Sequence, residues 1–291
     1  MALDFTGIEN VGEFYSTHYL TAVLEGDLKS VFNKWKEDKA EEGKRLPNEV
    51  LAGLSNKYFT LRAKADEAVD AGERLGLAQD FHAHLLEALG YQRRPGVEPL
   101  ADGAVLPVHL ALRRDGNPFL WVFDAPFSEI DDEDPLSVPP MEEQLPEGGG
   151  EIELPKSSEG RGQLASWREI LEEHLFRSDH PPRWVLFLAG GEVLLIDRHK
   201  WPQGKYLRFD LGELLGRKQA SALKATAGLL HRDVLAPDTG VCLHDTLDEN
   251  SHKHAYAVSG DLKHGVRRAV ELLANEAVWY RSCLLYTSPS P

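Results

Sequence analysis

Apolar residues recur every three or four positions through residues 11–89, which is the spacing of amphipathic helices. Asp27 follows a glycine at a position suited to capping the next helix. A further helix is predicted over residues 79–89, because Gly90 stands in the C-cap position at its end. The first third of the chain is therefore predicted to be helical.

Two pairs of short apolar runs come next, and turn residues separate the members of each pair. The first pair is 105–112 and 119–123, on either side of an Arg-Arg-Asp-Gly-Asn-Pro turn. The second pair is 184–188 and 193–196, joined across two glycines. Such strand–turn–strand patterns are typical of β-hairpins. A helix around residues 164–176 is predicted between the two hairpins.

Helical spacing returns over residues 209–230, and a last helix is predicted over 261–280. The order of helices, mixed sheet and helices predicts an α+β or α/β fold. We divide the chain into an N-terminal helical region (1–75), an α/β domain (76–215) and a C-terminal helical segment (216–282).

Acidic residues are concentrated in one segment of the α/β domain. The chain has 32 Lys and Arg against 47 Asp and Glu, a net charge of −15. Eleven of those acids and one base lie between Glu129 and Glu159, which gives this stretch alone a charge of −10. Because the stretch is also rich in proline and glycine, we interpret residues 129–161 as a disordered surface insertion. An acidic DNA mimic or a docking tail is the alternative.

Composition also limits the environment and the partners of the chain. No apolar run approaches the roughly 18–20 residues needed to span a bilayer, and the first residues lack the pattern of a signal peptide. The two cysteines favour a reducing cytoplasm over a disulfide scaffold. We expect a cytoplasmic protein with no membrane partner. Its negative charge predicts weak affinity for nucleic acid when the chain acts alone.

The helix before the first hairpin and the hairpin itself have the outline of a PD-(D/E)xK metal-dependent nuclease. In that site two carboxylates hold Mg²⁺ and a lysine positions or activates the attacking water. Here the helix carries Glu87 and the first strand carries Pro107, but Val108 occupies the aspartate position. The final motif begins with Asp124 and ends with Pro126 in place of the lysine.

These four remnant positions, Glu87, Val108, Asp124 and Pro126, predict a degenerate nuclease-like sheet without catalytic residues. Two alternatives stay open at this point. One is a hairpin unrelated to nucleases. The other is an active metal-dependent endonuclease whose lysine comes from Lys200 or Lys205, after the second hairpin.

Two further patterns have weaker chemical content. Residues 116–119, Gly-Asn-Pro-Phe, half-match the Asn-Pro-Pro-Tyr/Phe motif of amino-methyltransferases, although Asn-Pro is also ordinary in turns. Five histidines cluster late in the chain, at His231, His244, His252, His254 and His264. Cys242 is a candidate third metal ligand beside them. Their spacing matches no recognised zinc site, so we expect structural roles and no metal site. The chain has no phosphate-binding glycine loop.

Three stretches together resemble a known family: residues 5–20, residues 183–198 followed by 206–210, and residues 243–256. They look like the N-terminal region of very large bacterial DNA methyltransferases of the fused restriction–modification kind. Members resemble type IIG enzymes and the adenine methyltransferases of the DISARM and BREX phage-defence islands. The resemblance implies that the parent protein methylates adenine at N6, using S-adenosylmethionine. Its implied partners are DNA, through the full-length protein, and subunits of the defence system.

In that family the cofactor loop and the Asn-Pro-Pro-Tyr motif come later in the chain. The resemblance therefore implies no catalytic, cofactor-binding or metal-binding residue in this sequence. Residues 283–291 resemble a translated sequencing adapter, and we expect them to be a non-native tail after residue 282. The segment 216–282 would then lead into a missing methyltransferase domain. A natural frayed tail, or a stand-alone regulatory module with a stop codon near Ser282, is the alternative.

Overall fold

The computed structural model describes residues 3–101, 103–129, 133–145, 153–158, 160 and 162–286, with side chains as far as residue 281. Helices and a mixed six-stranded sheet, with a smaller two-stranded sheet, make up this part of the chain. The predicted α+β class is confirmed. No helix in these ranges combines the length and the apolar character that a membrane span requires.

Short helices follow one another in the N-terminal part. After strand β1 (Ile8–Val11) they are α1 (Thr17–Ala22), α2 (Leu24–Asp27), α3 (Lys29–Glu42), α4 (Pro47–Gly53), α5 (Ser55–Glu67) and α6 (Ala71–Ala88). The predicted glycine at the end of α6 is present in the left-handed conformation, with a φ of 82° at Gly90, but the C-cap residue itself is Leu89. The prediction that Asp27 caps α3 is wrong, because the N-cap residue of α3 is Leu28. The Asp27 carboxylate instead accepts hydrogen bonds from the Tyr19 hydroxyl (2.6 Å) and the Asn250 amide (2.9 Å).

Eight strands form the two sheets of the described part. After β1 they are β2 (Gly96–Pro99), β3 (Val105–Val108), β4 (Leu110–Arg114), β5 (Asn117–Ala125), β6 (Trp184–Ala189), β7 (Glu192–Asp197) and β8 (Tyr206–Asp210). The large sheet has the order β1-β8-β7-β6-β5-β4, and β2 pairs with β3. Both predicted hairpins are confirmed as the antiparallel pairs β4–β5 and β6–β7.

Strands β5 and β6 are parallel, so the chain must cross over between them. The predicted helix around residues 164–176 supplies this crossover as α7 (Trp167–Glu169), which continues as a π-helical turn over Ile170–Leu175. After the sheet come α8 (Leu211–Arg217), α9 (Ala220–Leu230), α10 (Arg232–Leu235) and α11 (Leu243–Tyr286). The expected boundaries at 75 and 215 therefore fall inside α6 and α8.

Each face of the large sheet covers its own hydrophobic core. Alternation along β6 sends Leu186 and Leu188 to the N-terminal helices, and Val185 and Phe187 to the other face. The second core contains Trp167 of α7 together with Leu136 from the acidic segment. The N-terminal helical region and the sheet consequently share one core instead of forming separate units.

The described part of the acidic segment packs against the sheet, which differs from the disordered insertion we expected over residues 129–161. Leu136 is fully buried and Leu154 is 5% exposed. Backbone hydrogen bonds tie this segment to β3 and α7, from Val105 N to Glu153 O and from Trp167 N to Val138 O. Residues 130–132, 146–152, 159 and 161 lie outside the described residues. Of the expected adapter tail, the backbone of residues 283–286 continues α11, and the rest is likewise outside.

Candidate functional site

The four nuclease-remnant positions do not converge on an open site. Glu87 is exposed on α6, and Val108 is buried on β3. Asp124, near the end of β5, is only 2% exposed, and Pro126 follows that strand directly. The helix–strand–strand order of the predicted outline is present, but a buried carboxylate without a second carboxylate beside it cannot organise Mg²⁺.

Asp124 belongs to a buried polar cluster that the sequence pattern did not reveal. Its Oδ2 lies 3.4 Å from His109 Nδ1, and Gln144 Nε2 donates to both its Oδ1 (2.9 Å) and its backbone oxygen (2.7 Å). The ring of His82, on α6, meets the His109 ring edge-on with centroids 6.2 Å apart. No local motif signals these contacts, because the four residues come from separate elements of the chain.

The two histidines of this cluster are held in the neutral form. Burial lowers the pKa of His82 well below its ordinary value, and a proton on the neighbouring His109 would lower it further. Burial also lowers the pKa of His109, and the Asp124 carboxylate opposes that shift. Both ring nitrogens of His82 and Nε2 of His109 have no hydrogen-bond partner among the described atoms. Among the described residues no group of three or more His, Cys, Asp or Glu forms a metal site.

The proposed replacement lysines lie far from Asp124. Asp124 pairs with Leu188 close to the β6–β7 turn, whereas Lys200 follows the end of β7, where Asp197 pairs with Trp184. Asp124 is thus four residues along the strands from this end, about 13 Å at strand rise. The backbone N of Lys205 bonds to Lys200 O, so both lysines sit at the same end of the sheet. The geometry does not bring either lysine to Asp124.

We therefore predict that the purified chain does not cleave DNA with Mg²⁺ or Mn²⁺. The measurement is conversion of supercoiled plasmid to nicked and linear forms. Asp124→Asn is the matched variant, since it keeps the shape of the side chain. Metal-dependent nicking that disappears in Asp124→Asn would show that the remnant site is active after all.

A second set of polar residues joins the N-terminal segment to α11, and we call Tyr15, Arg183, Lys200, His244 and Asp248 the anchor network. The Tyr15 hydroxyl lies 2.7 Å from His244 Nδ1, and His244 Nε2 lies 2.7 Å from Leu229 O. Because a carbonyl oxygen can only accept, Nε2 carries the proton and Nδ1 accepts from the Tyr15 hydroxyl. Burial lowers the pKa of His244 to about 4, which keeps this ring neutral.

Lys200 is the buried cation of the anchor network. Its Nζ donates to Phe14 O at 2.6 Å and to the Asp248 carboxylate. The same ammonium lies 4.1 Å from the Phe14 ring centroid and 4.6 Å from that of Tyr15, both cation–π contacts. Burial lowers the pKa of Lys200, and the Asp248 carboxylate opposes that shift. Lys200 is thus compensated on several sides, as a buried charge must be.

Arg183 completes the network at the start of β6. Its guanidinium donates two hydrogen bonds of 3.0 Å to Asp197 and one of 3.1 Å to Asp245 in the first turn of α11. A backbone contact adds to the junction, since Ser16 N donates to Ser251 Oγ at 3.0 Å. The start of α11 is therefore fixed to both the sheet and the N-terminal segment.

The late histidines do not form one cluster. His244 is buried in the anchor network, His252 lies 3.6 Å from Asp248 on the surface, and His264 is exposed on α11. Cys242 is buried, and burial raises the pKa of its thiol to about 12. Asn117 begins β5 beside the turn, in the ordinary place for an Asn-Pro pair.

No protein-family model, curated protein or solved structure matches the chain.

The free energy of unfolding should fall on acidification, because burial lowers the pKa of several histidines in the folded chain. Five of them have pKa values below the ordinary 6.5: His82, His109, His199, His231 and His244. In the unfolded chain they bind protons near pH 6.5, while in the folded chain they remain neutral to lower pH. The unfolded state then binds more protons, so this stability is fully present above about pH 7 and is lost progressively as pH falls from about 6.5 toward the lowered pKa values, about 4 for His244.

Urea denaturation at pH 7.5 and pH 5.5 measures this effect, with a lower midpoint expected at pH 5.5. His82→Leu removes one of the contributing rings and should reduce the difference between the two midpoints. Equal midpoints for the unmodified chain would contradict the prediction.

Proposed function

We propose that the chain is the non-catalytic N-terminal module of a site-specific DNA adenine-N6 methyltransferase from a restriction–modification or phage-defence system. The observation that carries the proposal is spatial. The three stretches that resemble this family, far apart in sequence, meet in one place. Strand β1 of the first stretch pairs with β8 of the second, Tyr15 of the first contacts His244 of the third, and Arg183 of the second donates to Asp245 of the third. Residues that resemble a family because they form one structural unit are expected to lie together in this way.

In this proposal the module positions the catalytic region and does not itself react. We call the described residues before Leu243 the body of the protein. Helix α11 runs outward from the anchor network, so it is the element through which the body would hold a following domain. S-adenosylmethionine and the target adenine would be bound by that domain, because the sequence here has neither a glycine-rich cofactor loop nor an Asn-Pro-Pro-Tyr motif. DNA would be gripped by the full-length protein, since the chain itself carries −15. The setting would be the cytoplasm, with defence-system subunits as partners.

The second candidate is a stand-alone degenerate nuclease module that acts as a binding or regulatory subunit. The order of α6, β3–β4 and β5 around the buried Asp124 favours it. The two candidates differ in the reading frame beyond Ser282. A methyltransferase region there supports the first candidate, and a stop codon there supports the second.

The test is the uninterrupted genomic reading frame that encodes residues 1–282, followed by expression of its product. We expect that product to form N6-methyladenine in plasmid DNA, measured by nucleoside mass spectrometry. The chain in hand should bind no S-adenosylmethionine in titration calorimetry. Micromolar cofactor binding by this chain would contradict its non-catalytic role, and a product without methylation would overturn the proposal.

A further inference from the structure

Helix α11 leaves the body of the protein and carries an exposed apolar stripe. Its first turns are buried against the body, with Leu247 fully buried and Ser251 4% exposed. From residue 261 to residue 281 every position is exposed, over a length of about 30 Å. The large apolar side chains of this stretch are Leu262, Val266, Val270, Leu272, Leu273, Val278, Trp279 and Tyr280, together with Val258 just before it.

Such a helix needs a partner to be stable. Isolated helices are marginal in water, and most helical stability in proteins comes from packing of the apolar face. Gly260 and Gly265 lower the intrinsic helix propensity further. Exposed apolar patches of this kind mark interaction sites.

Along one edge of the stripe, side chains of complementary size and charge are arranged symmetrically. Gly265, Arg268, Leu272, Glu276 and Trp279 follow one another at spacings of three, four, four and three residues, which places them along one side of the helix. The spacing is symmetric about Leu272. The small residue at one end matches the largest at the other, and the base on one side matches the acid on the other.

We propose that a second copy of the chain covers this stripe, with its α11 antiparallel and the two-fold axis at Leu272. A closed two-fold interface must be self-complementary, because each residue meets the symmetric position of the partner. Here Leu272 meets Leu272, and Arg268 meets Glu276 of the second copy. Trp279 meets Gly265, where an added Cβ would have no atom within 4 Å and the helix surface therefore leaves room.

The antiparallel direction also follows from where the body sits. His244, Leu247 and Ser251, which pack on the body, lie on the same side of α11 as Leu262 and Leu273 farther along. In a parallel pair both bodies would therefore occupy the space between the two helices. In the antiparallel pair the bodies lie at opposite ends, and the stripe is free between them. On the opposite edge of the stripe, Lys263 of one copy would meet Arg281 of the other. Solvent and salt screen the repulsion between these two positive charges.

Analytical ultracentrifugation of the full 291-residue chain, with reductant present, tests the proposal. We expect a monomer–dimer equilibrium at micromolar concentration. Arg268→Glu places Glu against Glu276 twice and should weaken the dimer by about tenfold or more. The double variant Arg268→Glu/Glu276→Arg should restore the affinity, because it only exchanges the two charges.

Arg267→Glu is the control, because it makes the same change in charge next to Arg268 but outside this edge, and it breaks only the exposed ion pair of Arg267 with Glu271 on the same helix. It should leave the dimer intact, and circular dichroism should show the same helix content in all variants. A monomeric unmodified chain, non-specific aggregation, a double variant as weak as the single one, or an equal loss in Arg267→Glu would each overturn the proposal. The result does not depend on whether the chain belongs to a methyltransferase.

Discussion

Asp248→Ala should destabilise the protein by about 3 kcal/mol, because it leaves the Lys200 ammonium buried without its carboxylate. Lys200 is 9% exposed, and its remaining partners are one carbonyl oxygen and two aromatic faces. Asp248 keeps 30% of its side-chain surface exposed, which places the cost toward the low end of that for broken buried pairs. The free energy of unfolding from urea denaturation measures the effect.

The reverse substitution should be milder. Lys200→Met leaves Asp248 partly in water and 3.6 Å from His252, so the unpaired carboxylate is better compensated than the unpaired ammonium. The double variant Lys200→Met/Asp248→Leu replaces the pair by apolar groups and should recover most of the lost stability. A smaller loss in Asp248→Ala than in Lys200→Met would contradict the asymmetry.

The same variants test whether the anchor network stabilises the first turns of α11. Tyr15, Lys200 and Arg183 all bind residues in the first two turns of that helix. Loss of the Asp248 contact should therefore speed amide hydrogen exchange in residues 243–251 more than in the central strands. Exchange that accelerates equally everywhere would mean that the network stabilises the fold as a whole and has no particular role at α11.

Local patterns predicted the elements whose causes are local. The two hairpins follow from apolar runs around a Gly-Asn-Pro turn and a Gly-Gly turn, and the end of α6 follows from Gly90. The run 105–112 shows the limit of this method. It breaks at His109 into β3, which pairs with β2, and β4, which pairs with β5. Which partner a strand takes is decided by tertiary contacts that the run itself does not encode.

Local sequence patterns do not predict elements that are stabilised by residues far away in the chain. Strand β1 is four residues long and exists because it pairs with β8, about two hundred positions away. Helix α11 begins at Leu243, well before the predicted 261, because its polar first turns are fixed by the anchor network. The partners of Asp124 were equally invisible, since His109 lies between β3 and β4 and Gln144 comes from the acidic segment.

The acidic segment differs from its predicted disorder because its average composition hides its few apolar residues. Eleven acids dominate the count, yet Leu136 is fully buried in the second core and Leu154 is 5% exposed. Gln144 also reaches from this segment to Asp124. From composition alone, replacing residues 131–159 with a short Gly/Ser linker costs about 1 kcal/mol or less, the change in loop-closure entropy. The packing reverses that expectation.

We now predict that this replacement lowers the free energy of unfolding by several kcal/mol. Truncating one buried leucine costs roughly 2–5 kcal/mol, and the replacement removes two. It also uncovers Trp167 and removes backbone bonds to β3 and α7, among them Arg168 N to Leu136 O at 2.8 Å. Urea denaturation of the replaced and unmodified chains measures the difference.

Point variants separate packing from the length of the loop. Leu136→Ala should lower the free energy of unfolding by at least about 2 kcal/mol, the lower end of the range for a buried leucine. The reason is that the side chain is fully buried in the same core as Trp167. Ser137→Ala, at the next and exposed position, removes only the exposed hydrogen bond from the Ser137 hydroxyl to Asp134 O. It is the control and should change stability by less than about 0.5 kcal/mol. If the full replacement and Leu136→Ala both leave the urea midpoint unchanged, the segment does not pack on the sheet in solution. A loss in both, with Ser137→Ala unchanged, assigns the effect to the leucine and through it to the second core.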